Sequence, residues 1–248
     1  MGSKQFMIVG SQRSGTTLLE LILDSHPDIK ILGEPEVYNS FNKSSDNGKH
    51  LGYKVPMWTH RYHFFRDTYP NSKILFLFRD IKSIASSMLS LVFKQYNNRD
   101  WVDINARGEM MNSITGISKP YIRNFFRKEI GTQDNKVLIA TLCAYIKSYL
   151  YEEYKNAKMD VFPVKYHKLV QEPREEIERV LFFLKIPWSD EVLRHHELHK
   201  GVFIGNTNSQ RKIDVSSLEK WRKRFSEEEI KRIDEYLTYL EKNIKEYL

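Results

Sequence analysis

The run Gly10-Ser11-Gln12-Arg13-Ser14-Gly15-Thr16-Thr17 brings together two glycines, four hydroxyls and one guanidinium. It follows the apolar stretch Phe6-Met7-Ile8-Val9 and precedes Leu18-Leu19-Glu20-Leu21-Ile22-Leu23. Strand, glycine-rich turn and helix in that order aim backbone N–H groups and a helix N-terminus at an anion. The Gly-x4-Gly-x-Thr spacing is that of the nucleoside-triphosphate loop, yet Thr16 stands at the lysine position and the cation lies earlier, at Arg13. In that loop the lysine neutralises the outer phosphates and the next hydroxyl holds magnesium. Its absence points away from ATP with magnesium, toward a phosphate-like anion gripped by a permanently charged fork of donors. The alternative, a bare strand-to-helix turn, would not call for this set of residues.

A second constellation lies in Lys73-Ile74-Leu75-Phe76-Leu77-Phe78-Arg79-Asp80, followed by Ile81-Lys82-Ser83-Ile84-Ala85-Ser86-Ser87-Met88. A buried strand ends in a charged pair and a helix begins, which puts Arg79 at a strand's carboxyl end, where ligands of parallel sheets bind. Ile81, Ile84, Ala85 and Met88 form the buried stripe, and Ser83 and Ser87 share another face. Arg79 and Ser87 can hold one further phosphate, and a structural Arg-Asp ion pair is the alternative.

The elements that must position these groups alternate short apolar runs with longer helical patterns, the signature of βαβ units and a parallel sheet. Gln5–Val9, Leu51–Lys54, Lys73–Phe78 and Val161–Val164 are the expected strands, and Ser40–Lys49 is an expected surface loop. Between residues 92 and 135 the periodicity weakens while Phe93, Tyr96, Trp101, Tyr121, Phe125 and Phe126 accumulate. That reads as a cap over a pocket or as a poorly periodic part of the core. Pro173 opens a helix carrying Ile177, Val180, Leu181 and Leu184. Ser226 and Glu229 form a capping box ahead of Ile230, Ile233, Leu237, Leu240 and Ile244.

With 248 residues and no composition break, one domain over 1–248 is expected. Lys plus Arg exceed Asp plus Glu by 39 − 32 = 7, an excess that suits an anionic ligand. The basic residues are dispersed, so neither nucleic acid nor membrane is an expected partner. No apolar run approaches the ~20 residues of a membrane span and no leader precedes the first strand, so a cytoplasmic location is expected. Cys143 sits in an apolar helical pattern and reads as a small buried hydrophobe. His195, His196 and His199 lack the partners of a metal site and read as a solvated helix face, so no metal is expected.

An arginine in place of the loop lysine, together with a second phosphate site, resembles the sulfotransferases that use 3′-phosphoadenosine 5′-phosphosulfate (PAPS). Gln12–His26 is similar to their 5′-phosphosulfate loop and Phe78–Met88 to their 3′-phosphate motif, with Arg79 and Ser87 at the binding positions. Arg13 with His26-Pro27 resembles the bacterial and tyrosylprotein branches. Weaker similarity lies at Lys54-Val55-Pro56, Tyr166–Leu169 and Ser216–Trp221. The resemblance implies an α/β fold of three layers with a central parallel sheet, flanking helices and a helical cap segment at 92–135. It implies PAPS as donor, bound by Gln12, Arg13, Ser14, Gly15, Thr16, Thr17, Arg79, Ser87 and Tyr166, with Arg211 and Lys212 in a closing basic segment. Glu34, in Gly33-Glu34-Pro35-Glu36, falls where the tyrosylprotein branch carries its catalytic glutamate; Glu36, His50, His60 and His63 are the other candidate bases. Lys54 joins Arg13 in stabilising charge on the transferring group, or is an ordinary strand-edge lysine. The expected acceptor is a small-molecule hydroxyl or amine, with a tyrosyl peptide as the alternative. A P-loop kinase and a non-catalytic nucleotide-binding module are the readings from other classes.

Overall fold

A computed structural model describes residues 5–34, 49–199, 203–204 and 207–245. The strands are β1 (Gln5–Gly10), β2 (Ile29–Leu32), β3 (His50–Lys54), β4 (Lys73–Phe78), a short hairpin of β5 (Val92–Phe93) and β6 (Arg99–Asp100), β7 (Val161–Lys165), and a second short antiparallel pair of β8 (Phe203–Ile204) and β9 (Thr207–Asn208). The longer helices are α1 (Thr16–Asp24), α2 (Tyr62–Thr68), α3 (Ile81–Ser90), α4 (Arg107–Thr115), α5 (Pro120–Thr132), α6 (Lys136–Asn156), α7 (Tyr166–Gln171), α8 (Pro173–Leu184), α9 (His195–Leu198) and α10 (Glu227–Lys245). The chain folds as two compact units, residues 1–79 with 154–215 and residues 80–153 with 216–248.

The first unit is built on a five-stranded sheet in the order β2-β3-β1-β4-β7, every pairing parallel. Parallel strands covered on both faces read as continuous apolar runs, and Phe6-Met7-Ile8-Val9 and Ile74-Leu75-Phe76-Leu77 are wholly buried. On one face Phe6, Ile8, Leu75 and Leu77 pack with Leu19, Ile22 and Leu23 of α1 and Ile177, Val180, Leu181 and Leu184 of α8. On the other, Phe76 meets Tyr154 at 5.7 Å between ring centroids, and Tyr154 meets Tyr62 of α2 at 5.6 Å. Helix, sheet and helix form the three expected layers.

Four of the five strands coincide with the expected ones to within a residue at either end. The fifth, β2, was not expected: Ile29 and Ile31 are buried while Lys30 is exposed, a four-residue alternation set directly behind the turn at His26-Pro27-Asp28. At the opposite edge β7 tolerates Pro163, because an edge strand need not donate on its outer side. Residues 40–48 of the expected loop lie outside the described residues.

In the second unit the Asp80 carboxylate caps α3 by accepting the Ser83 N–H at 2.8 Å. Residues 92–135 form the hairpin, a π-helical turn at Val102–Ala106, and α4 and α5. Of the aromatic residues there, Trp101 and Phe126 are buried and Tyr96 and Tyr121 exposed. The capping box is reciprocal: Ser226 N–H donates to Glu229 Oε2 at 2.8 Å, and Glu229 N–H to Ser226 Oγ at 3.2 Å. Buried charges are paired here, Lys147 with Glu109 at 2.5 Å and the Glu129 carboxylate with the hydroxyls of Tyr236 and Tyr239. Burial pushes the Cys143 thiol up to about 12, in keeping with a packing role. Among the described residues no helix is long and apolar enough to cross a membrane.

Candidate active site

Because the five strands are parallel, their carboxyl ends share one edge of the sheet, and each is followed by a residue expected to bind or react. Glu34 follows β2, Lys54 ends β3, the Gly10–Thr17 loop follows β1, Arg79 follows β4 and Tyr166 follows β7. The connection after β1 leads out to β2 and that after β3 crosses to β4, so the loop lies at the point where the chain changes direction.

The loop is held by backbone geometry. Gly10, Arg13 and Gly15 have φ of +131°, +71° and +109°, and Ser14 N–H closes onto Ser11 O at 3.1 Å. Left-handed residues within a short turn set N–H groups on one side, forming an anion-binding concavity. An arginine with positive φ is held there by its surroundings. Gly10 is fixed by Thr59, whose Oγ1 accepts its N–H at 3.0 Å and lies 2.8 Å from its carbonyl. No larger residue fits: a Cβ on Gly10 would stand 2.6 Å from the Leu77 carbonyl oxygen, and one on Gly15 2.3 Å from the Tyr166 ring. The α1 N-terminus carries no side-chain cap, and Ser14 Oγ is buried without a hydrogen-bond partner. A cradle filled by any Cβ, an orphaned hydroxyl and an uncapped helix start fit a bound phosphosulfate.

The cations converge on this loop. Arg79 Nη1 donates to the Arg13 carbonyl at 3.0 Å, and its guanidinium lies over the Tyr166 ring at 4.3 Å. Tyr166 thus packs against Gly15 on one side and Arg79 on the other, a structural role beyond the nucleotide contact that the resemblance implies. Burial, and then repulsion from Arg79, lowers the Arg13 pKa from its ordinary value.

Lys54 is not a strand-edge lysine: β3 lies inside the sheet and Lys54 is 7% exposed. Its Nζ pairs with Glu20 Oε2 of α1 at 2.8 Å. Desolvation raises the Glu20 pKa, while Lys54 opposes the rise. Glu34 is partly buried, and its Oε1 accepts the Met57 N–H at 3.0 Å just beyond β3. Glu36 lies outside the described residues. His50 opens β3 and so stands at the end of the strand away from Lys54, while His63 is exposed with its ring 4.0 Å from that of Tyr62. His26 is structural: its Nδ1 accepts the Asp28 N–H at 3.1 Å and its Nε2 donates to the Pro187 carbonyl at 2.9 Å.

Gln12, Thr16 and Thr17 lie in or directly after the loop, and Ser87 lies on α3 in the second unit. Arg211 and Lys212 are exposed, with Arg211 paired to Asp214 at 2.5 Å. The three histidines depart from the expected solvated face, because His195 is 1% exposed and His199 Nε2 lies 3.1 Å from the Leu21 carbonyl oxygen. Among the described residues no cluster of His, Cys, Asp and Glu could hold a metal ion. Sequence reasoning missed Thr59 and Glu20. Nothing local marks Thr59, whereas Glu20 is the one charge in an otherwise apolar helix run.

Residues 3–246 match the family model for the sulfotransferase domain. Protein-tyrosine sulfotransferase A of Caenorhabditis elegans is 24% identical over 84% of this chain and 56% of its own length. The sulfotransferase domain of the Synechococcus PCC 7002 olefin synthase superposes with a TM-score of 0.58 at 15% identity, covering 96% of each chain. Mouse sulfotransferase SULT7A1, solved in complex with PAP, gives a TM-score of 0.57 at 16% identity over 99% of this chain and 89% of its own. The chain belongs to the sulfotransferase family. It is a PAPS-dependent sulfotransferase, and the kinase reading falls away with its missing loop lysine.

Proposed function

We propose that this enzyme sulfates a hydroxyl or amine of a small-molecule acceptor at the carboxyl edge of the first unit's sheet. The observation that carries the reading is the meeting of Arg13, Arg79, Lys54 and Glu34 at the ends of four adjacent parallel strands. PAPS supplies an activated sulfuryl group on a phosphate leaving group. Ser14, Gly15, Thr16 and Thr17 bind the 5′-phosphosulfate through N–H and hydroxyl donors, with Gln12 beside them. Arg13 neutralises charge that develops on the leaving side, and Lys54 charge on the sulfuryl oxygens. Arg79 takes the 3′-phosphate, Tyr166 backs the nucleotide, and Arg211 and Lys212 cover it. Glu34 accepts the acceptor's proton, its carboxylate held by the Met57 N–H.

A tyrosyl-peptide acceptor is the second reading, favoured by the name of the Caenorhabditis elegans relative and by Arg13, His26-Pro27 and Gly33-Glu34. Turnover of PAPS with phenolic metabolites and, in parallel, acidic tyrosyl peptides decides between them: sulfation of the peptides alone refutes the small-molecule reading. Calorimetric titration with 3′-phosphoadenosine 5′-phosphate (PAP) tests the site itself. Absence of binding, or binding unchanged in Arg79→Ala, overturns these assignments.

A further inference from the structure

Glu20 has no part in the scheme above, yet it is the charge placed nearest to Lys54. It sits on α1 four residues after Thr16, so the helix that offers its N-terminus to an anion carries this carboxylate one turn further in. Both side chains of the pair are nearly excluded from water, at 9% and 8% exposure. The groups that act on Glu20 are Lys54 from β3, Asp24 from its own helix and Glu34 from beyond β2. Lys54 thus offsets a carboxylate that Asp24 and Glu34 both repel, and anything anionic that recruits Lys54 must compete with Glu20.

We propose that Glu20 is a positioning residue that holds Lys54 in the free enzyme and yields it to the incoming anion, taking up a proton from solvent as it does so. The inference rests on the assignment of Lys54 to the sulfuryl side of the site. In the free protein each of the two buried charges has the other as its partner. With the anion in place, Lys54 has a second negative partner and the Glu20 carboxylate is left in a buried, more negative setting. Protonation relieves it: the carboxylate becomes a carboxyl, one proton leaves the solvent, and no bond to the ligand changes. Burial already raises the Glu20 pKa in the free protein, the direction this step needs.

The test is PAPS binding, without acceptor, by isothermal titration calorimetry from pH 6 to 8.5, in two buffers of different ionisation enthalpy, on wild type and Glu20→Gln; PAPS carries the sulfuryl oxygens assigned to Lys54. Glutamine mimics the protonated carboxyl, so Glu20→Gln should bind PAPS about tenfold more tightly at the alkaline end, where the wild-type carboxylate still competes. The variant should also lose the part of the pH dependence and of the proton uptake that belongs to Glu20. Titration of the PAPS phosphates is common to both proteins and cancels in the difference. Lys54→Met provides a second route should Glu20→Gln fail to fold: with no lysine to release, its proton uptake should match that expected of Glu20→Gln. Weaker PAPS binding in Glu20→Gln, or proton uptake equal to wild type in the variant that folds, overturns the inference. Failure of wild type to bind either PAPS or PAP would instead overturn the proposed site.

Discussion

Replacing Thr59 with valine exchanges one hydroxyl for a methyl group of nearly the same volume, and the structure makes the consequence calculable. Thr59 is fully buried, and its Oγ1 accepts the Gly10 N–H at 3.0 Å while lying 2.8 Å from the Gly10 and Pro56 carbonyl oxygens. The hydroxyl has one proton, so it donates to one carbonyl at a time and accepts throughout. Valine leaves the Gly10 N–H without that partner where water does not reach. An unmade buried bond costs about 1–3 kcal/mol, and we take about 2 kcal/mol. In a chain of this size each kcal/mol moves Tm by about 2–4 °C, so Thr59→Val should melt about 4–8 °C below wild type by scanning calorimetry. Thr59→Ser, which keeps the oxygen, should recover most of that loss. PAP affinity should fall in Thr59→Val as well, because Gly10 opens the anion-binding turn. A Tm within about 1 °C of wild type, or a serine variant no better than valine, would refute the claim that this hydroxyl fixes the loop.

Three further outcomes follow from the same geometry. Arg79→Lys keeps a cation but loses the planar stack on Tyr166 and the bond to the Arg13 carbonyl, so PAP affinity by calorimetry should drop roughly tenfold or more, at about 1.4 kcal/mol per decade. Glu34→Gln retains an acceptor for the Met57 N–H but not a base, so kcat should fall about 10²–10⁴-fold with PAP affinity unchanged; full turnover would place the base elsewhere. His195 titrates at about 4 rather than 6.5, because burial first and His196 second disfavour its charged form. Above pH 6.5 it is neutral folded or unfolded; below that the unfolded chain takes up a proton that the folded chain refuses. Stability should therefore fall between about pH 6.5 and 4, by at most about 3 kcal/mol at 1.36 kcal/mol per pH unit, and a His195→Gln melting curve should fall less steeply over that range.

The sequence made the loop legible because every part of it is local. Its glycines, hydroxyls and arginine lie within eight residues, between an apolar run and a helical one. The helices with caps and stripes were legible for the same reason, as the Ser226–Glu229 box and the buried face of α8 show. Pairings across the sheet were not. Thr59 reaches Gly10 over 49 positions, a contact set by the register of β1 on β3, and no pattern around a lone threonine announces it. The histidines misled in the opposite direction: three in five positions suggest a polar face, yet the turn that carries them folds His195 inward.

Strand order explains why the site could be assembled from such scattered pieces. A parallel sheet returns every strand to the same edge, so a residue one step beyond any strand joins those beyond the others without a dedicated loop to bring it there. Arg13, Arg79, Lys54 and Glu34 are scattered along the sequence, and the order β2-β3-β1-β4 sets them at or beyond the carboxyl ends of four adjacent strands. The same logic makes Glu20 conspicuous. A carboxylate within Leu18-Leu19-Glu20-Leu21-Ile22-Leu23 weakens an otherwise apolar helix, and burying it uncompensated would be costly. Its only ion-pair partner among the described residues is Lys54, on a strand that α1 must cover. The pair ties the charge of the site to the packing of the helix that forms its floor, so changing either member should alter anion binding through the other.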